Sequence, residues 1–197
     1  MKHIKFNPWT GSNYRQAPLG KRILILGESH YDFDPDQPIE GYAELTNECI
    51  QEQIDGDTKK AFWTKIATTF LNRTPMLEDK RTFWHSVAFY NYVQSTAGSG
   101  PRKRPSGEQW TASESAFFEV LDLLEPQLVV VLGYTNWENL TNTDAEEGPG
   151  LPHFPHVRTC RYRYSTGSCL AIRLLHPSSG FSPSDWNAPV FDAITSA

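Results

Sequence analysis

Two uninterrupted apolar runs constrain this chain more than any other feature. Ile23-Leu24-Ile25-Leu26 stops at Gly27, and Leu128-Val129-Val130-Val131-Leu132 stops at Gly133. A strand with one wet face alternates apolar and polar side chains, so a run without alternation needs cover on both faces. Around these runs lie stretches with helical spacing. Glu40 to Ile54 sets Leu45, Cys49, Ile50 and Ile54 near a helical period. Lys59 to Asn72 carries a wide stripe of Phe62, Trp63, Ile66, Phe70 and Leu71. Buried strands alternating with such helices predict an α/β fold: three layers, α/β/α, around a largely parallel central sheet.

The rest of the chain fits that frame. Residues 1–20, rich in Asn, Pro, Gly and Ser, read as an irregular N-terminal arm. Residues 21–197 read as a single domain, with no internal repeat and no dividing linker. Asp32 to Pro38 is a loop with two prolines, and Val87 to Val93 reads as a strand. Ser95 to Gly107 is a Gly/Pro/Ser loop carrying Arg102-Lys103-Arg104. Ser106 stands three residues before Gln109, a capping box. The helix it opens carries Phe117, Phe118, Val120, Leu121 and Leu124 and ends at Pro126. Trp137 and Leu140 suggest a short helix. Val157–Tyr164 and Cys169–Leu175 read as a hairpin, cut off by His176-Pro177, and Trp186 to Ile194 as a closing helix.

Composition narrows the setting. At 197 residues a fold buries roughly 70% of its extended-chain surface and needs no disulfide or metal staple. Three cysteines without tight spacing argue against a secreted disulfide scaffold. The start lacks an apolar signal segment, and the apolar runs are far too short to span a bilayer. A soluble, cytoplasmic monomer with no membrane partner is expected. The net charge of −5 argues against coating nucleic acid by bulk charge. That sum hides a segregation. Glu28 to Asp57 and Glu108 to Glu147 hold acids and no Lys or Arg. Lys80 to Gly107 and Gly148 to Ser184 hold bases and no acid. If the two basic stretches meet in space, they form one positive face.

Ligands of open α/β sheets bind at the carboxyl ends of the strands. Four polar segments follow strand ends here: Gly27–Tyr31, Asn91–Gln94, Gly133–Asn136 and His176–Ser182. The first nearly matches a nucleophile elbow, G-x-S-x-G, with Ser29 as nucleophile, but Tyr31 replaces the second glycine. A small-molecule hydrolase using Glu28, Ser29 and His30 is therefore one alternative. His153, His156, Cys160 and Cys169 fit no standard zinc spacing, and the two cysteines read more simply as small hydrophobes on the hairpin. No metal and no cofactor is expected. In His176-Pro177-Ser178-Ser179-Gly180-Phe181 a proline forces a turn, and small residues let the backbone approach phosphate oxygens. Asn91 offers a donor and an acceptor together, which suits bidentate reading of a base edge.

Taken in order, these segments resemble the uracil-DNA glycosylase superfamily. There a strand ends in a first motif such as GQDPYH or GEAPG, a later strand ends in an asparagine, and a last strand ends in a histidine motif such as HPSPLS. The matching stretches are Gly27-Glu28-Ser29-His30-Tyr31, Phe89-Tyr90-Asn91-Tyr92-Val93 and His176-Pro177-Ser178-Ser179-Gly180-Phe181-Ser182. The layout is closest to the thermophilic-type branch, where the asparagine strand leads to an Arg/Pro loop and then a helix. Here that is Arg102-Lys103-Arg104-Pro105 followed by Glu108. Cys49, Cys160 and Cys169 do not match that branch's iron–sulfur cysteines.

The resemblance implies a uracil-DNA glycosylase-like fold and a monofunctional DNA glycosylase that flips uracil or another modified base out of single- or double-stranded DNA. His176 would donate to the base carbonyl, where negative charge develops. Asn91 would select the base, with Phe62 as the stacking aromatic. Gly27, His30 and Tyr31 would line the pocket, Tyr31 crowding the base 5-position. Glu28 would act as base or electrostatic partner. Ser29 stands where many members carry Asp or Asn; it would hold a water but cannot take its proton. Arg102, Lys103, Arg104 and the Ser178, Ser179, Gly180, Phe181 turn would track the DNA backbone. A catalytically weak nucleic-acid-binding module on the same fold is the other alternative.

Overall fold

The computed structural model describes residues 2–32, 41–58, 60–99 and 103–197. The Ile23–Leu26 run becomes strand β2, Ile23–Gly27, and the Leu128–Leu132 run becomes β6, with every residue of both buried. Between them in the chain comes β4 (Ala88–Asn91), and after both comes β9 (Gly167–Leu174). These four strands are parallel neighbours in the order β4-β2-β6-β9. Antiparallel strands complete a seven-stranded sheet. They are β1 (Trp9–Thr10) beside β4, then β8 (Thr159–Tyr164) beside β9, and β7 (Ala145–Glu147) beside β8. A separate parallel pair joins β3 (His30–Asp32) to β5 (Thr96–Ser99).

Helices cover both faces, as uninterrupted apolar strands require. Strand alternation sorts the core into two halves. Ile23, Ile25, Phe89, Leu128, Val130, Leu170 and Ile172 face one side. There they meet α1 (Leu45–Asp55), α2 (Ala61–Leu71), α3 (Leu77–Ser86) and α7 (Pro183–Ser196). Leu24, Leu26, Ala88, Tyr90, Val129, Val131 and Ala171 face the other, under α4 (Gly107–Ala112) and α5 (Glu114–Leu124). A short α6 (Tyr134–Asn139) follows β6 directly.

Several boundaries differ from the sequence reading for identifiable reasons. The first twenty residues are mostly irregular, yet they are bound into the domain. Phe6 and Tyr14 are fully buried, Trp9 pairs with Phe89 across the β1–β4 ladder, and Trp9 Nε1 donates to the Trp84 carbonyl at 2.8 Å. The helix opened by Ser106 keeps its capping box but divides into α4 and α5 at Ser113. The Ser113 hydroxyl donates back to the Gln109 carbonyl and accepts from the Gln94 N–H, which bends the helix at that point. Helix α3, β5 and β7 fall where no element was expected. Most of the loop from Asp32 to Pro38 lies outside the described residues. No helix among the described residues is long and apolar enough to cross a membrane.

Candidate active site

The carboxyl ends of the parallel strands bring three of the expected residues to one face. Gly27 and Asn91 are paired across β2 and β4, and each continues the alternation that points Ile25 and Phe89 toward α2. The same alternation on β9 carries Leu170, Ile172 and Leu174, and next in phase comes His176. The Asn91 carboxamide lies over Gly27: a β-carbon on Gly27 would overlap Asn91 Oδ1 and crowd Phe89. The β2–β4 ladder then continues past both strands, with Tyr92 N–H donating to Gly27 O at 3.0 Å and Val93 N–H to Glu28 O at 2.9 Å. Asn91 is 7% exposed, and its carboxamide has no hydrogen-bond partner among the described residues. Its backbone carbonyl is held by Gln94 Nε2 at 2.8 Å.

His176 is held on three sides. Phe62, in the first turn of α2, lies against it with ring centroids 5.4 Å apart and planes 36° from parallel. Gly133 has φ +102°, and a side chain there would press on His176 Cβ and Cδ2 at 3.4 Å. The turn that follows folds back: Ser178 N–H donates to His176 Nδ1 at 3.2 Å, and Ser179 N–H to its carbonyl at 2.9 Å. Lys65 Nζ, from α2, donates to the Pro177 carbonyl at 2.8 Å. Burial, reinforced by the Arg104 charge, pushes the His176 pKa down to about 4, so the ring is neutral at physiological pH. With Nδ1 accepting, the proton of a neutral ring sits on Nε2, which makes Nε2 a donor.

Glu28 is one residue out of phase with Gly27 and meets a different partner. Arg104, in the loop leading to α4, donates from Nη1 to Glu28 Oε2 at 2.5 Å. Glu28 Oε1 and Ser29 Oγ are buried without partners among the described residues. Burial pushes the Glu28 carboxyl above its ordinary range, and Arg104 pulls it part of the way back. Tyr31 belongs to the same electrostatic group, its hydroxyl raised by burial and by Glu28 and lowered by Arg104. Buried polar atoms normally find partners, so these two oxygens are the atoms of this group with hydrogen-bonding capacity to offer.

Other expected site residues are engaged elsewhere. His30 places Nε2 2.9 Å from Thr46 Oγ1 on α1, and its ring meets Phe6 edge-on at 4.9 Å. Burial pushes its pKa down to about 4. The ring is thus committed to packing, and Ser29 Oγ has no base bonded to it, which removes the geometric support for a Ser29–His30 hydrolase. Phe181 is buried and stacked on Trp186 at 6.3 Å, in the core instead of at a DNA-facing surface. Ser178, Ser179 and Gly180 form the exposed turn, and Lys103 is exposed. Arg102 lies outside the described residues.

The two basic stretches approach each other where the Arg104 charge acts on His176. Arg104 pairs with Glu28 and Arg163 with Glu146, so each basic stretch meets an acidic one. Arg173 lies over the Tyr134 ring at 4.0 Å. His153 binds Asp192 at 2.9 Å, and Cys169 is fully buried on β9. No group of three or more His, Cys, Asp or Glu side chains among the described residues is placed to hold a metal ion.

Three contributors have no role assigned by the sequence, although two of them bound the strand-end segment Gly133–Asn136. Gly133 was visible as the end of an apolar run, but its role as a cradle for His176 depends on the β6–β9 pairing. Lys65, a lone cation in the apolar stripe of α2, was a signal left unused. Asn136 is fully buried, donating from Nδ2 to Leu26 O at 3.2 Å and leaving Oδ1 unpartnered behind the end of β2. The sequence matches no protein-family model, and no curated protein matches it.

Proposed function

We propose that this protein is a DNA glycosylase, hydrolysing the N-glycosidic bond of uracil or another modified base on a uracil-DNA glycosylase-like fold. The observation that carries the reading is one arrangement. Gly27, Asn91 and His176 come from the carboxyl ends of three parallel strands and share one face of the sheet, with His176 neutral and its Nε2 proton free to donate. Breaking the bond leaves negative charge on the departing base and an oxocarbenium-like sugar. A neutral donor aimed at the base carbonyl stabilises the first without the cost of burying an imidazolium. The unpartnered Asn91 carboxamide selects a base edge by pairing a donor with an acceptor. Phe62 offers a stacking surface beside the donor.

Water completes the reaction. Its oxygen bonds to C1′ as the C1′–N bond breaks, the base leaves with the bonding pair, and the water proton passes to a base. Glu28 Oε1, buried and unpartnered, is the acceptor for that proton. Ser29 Oγ holds the water without taking its proton. A binding module without catalysis is the second reading, favoured by the guanidinium lying on Glu28.

A panel of single- and double-stranded oligonucleotides tests the two. The strands carry uracil, hypoxanthine, xanthine or a 5-modified pyrimidine, and alkali then cleaves any abasic site. Excision that falls at least about a hundredfold in Asn91→Ala and in His176→Ala supports the glycosylase. Binding with no excision across the panel overturns it in favour of the module.

A further inference from the structure

The Glu28–Arg104 pair is asymmetric. The carboxylate is 5% exposed and built into the end of β2, whereas the guanidinium is 59% exposed and reaches in from the loop before α4. One carboxylate oxygen is taken by Nη1, and the other is buried and open. A buried carboxyl with no counter-charge takes up a proton and rotates to suit it, and then it can no longer accept one. A single charge-assisted hydrogen bond on Oε2 both keeps the group ionised and fixes which oxygen remains available.

We infer that Arg104 is a positioning residue of the reaction proposed above: by binding Glu28 Oε2 it holds Glu28 as an oriented carboxylate whose Oε1 faces the water. The inference rests on the glycosylase reading and adds to it a residue that touches neither base nor sugar. The same guanidinium acts on His176, where its charge disfavours protonation. One cation therefore pushes both groups the way the chemistry needs, Glu28 toward its charged form and His176 toward its neutral one. Among the described residues, the charged and titratable groups around Glu28 are Arg104 and Tyr31. Around His176 they are Arg104 and, from α2, Lys65, which is bonded to the Pro177 carbonyl.

The test compares the wild-type chain with Arg104→Gln and Arg104→Lys. Carbon-detected NMR titrations follow the Glu28 carboxyl and the His176 ring, and kcat/KM against pH is measured on whichever oligonucleotide is excised. Arg104→Gln is expected to raise both pKa values and to move the acid limb of kcat/KM to higher pH. The rate falls about tenfold on that limb and recovers at alkaline pH. Arg104→Lys keeps the limb near its original place. Arg104→Lys should melt with the wild type, whereas Arg104→Gln, which leaves a buried carboxyl without its partner, should stay folded with a lowered melting temperature at neutral pH.

A Glu28 carboxyl that titrates unchanged in Arg104→Gln overturns the inference, as does a rate loss equal at every pH. The two readings fail separately. A chain that excises nothing yet shows both shifts loses the glycosylase reading and keeps Arg104 as the residue that sets Glu28. A chain that excises normally without the shifts keeps the glycosylase and loses Arg104.

Discussion

The carboxamide of Asn91 fills the space that a side chain on Gly27 would occupy. The two residues are register partners, so the pairing of β2 with β4 alone brings the amide over the glycine. Gly27→Ala forces Asn91 off that position. Overpacking of this kind costs about 1–3 kcal/mol. The expected outcome is a folded protein with a lowered melting temperature and excision reduced as far as in Asn91→Ala. Retained excision with an unmoved melting temperature would show that Asn91 does not read its ligand from this place.

Gly133 makes a parallel case on the far side of the sheet centre. Its φ of +102° is strained for any other residue, and its bare Cα leaves room for His176. Gly133→Ala is expected to lose about 1–3 kcal/mol in urea unfolding. Its rate should drop with kcat, not KM, if the displaced His176 acts on the departing base as proposed.

Acid should weaken the fold through its histidines. His30 and His176 have folded pKa values of about 4, below their ordinary 6.5. The unfolded chain therefore takes up protons that the folded chain refuses. The stability is fully present above about pH 6.5 and is lost as pH falls toward 4, at about 1.4 kcal/mol per unit for each ring. Glu28, with its raised carboxyl, works in the opposite sense. Replacing His30 by Gln should roughly halve the histidine contribution to the slope of stability against pH between those limits. Urea midpoints measured across that range check it.

Nucleic-acid affinity should follow the loop before α4, not the overall count of bases. Neutralising Lys103 and Arg104 together is expected to weaken oligonucleotide binding uniformly across sequences and to flatten its dependence on salt. Arg163→Ala should leave both unchanged, because that residue stands opposite Ser168, at the end of β9 remote from His176. Fluorescence anisotropy at several salt concentrations separates the cases. An Arg163→Ala slope as shallow as the double variant would place the phosphate track on β8 instead.

What could be read from the amino acids depended on the range of the interaction. Ile23–Leu26, Leu128–Leu132 and the Ser106–Gln109 cap declare themselves locally, and all three form as expected. The strand-end position of His176 follows from where the apolar residues stop, whereas Asn91 ends β4 inside an apolar stretch that continues through Tyr92 and Val93. By contrast β1 and β7 are only two and three residues long, too short to show a period, and exist because a neighbour offers an unpaired edge. Helix α3 is largely polar, and its buried Phe83 and Trp84 are adjacent, so no stripe announces it. Charge pairing between distant segments is illegible for the same reason. Along the chain Arg104 and Glu28 sit in separate blocks, and only the folded topology sets one on the other.

Strand β9 lies between β6 and β8, and it is the last of the parallel strands to be made. Synthesis proceeds from the amino terminus. On the ribosome β4, β2 and β6 can pair before β9 has emerged, with Asn91 already seated over Gly27. A nascent chain at that stage carries the selecting amide without the donor of His176. On the glycosylase reading, insertion of one interior strand is thus the event that completes the site, and a chain truncated before it should excise nothing.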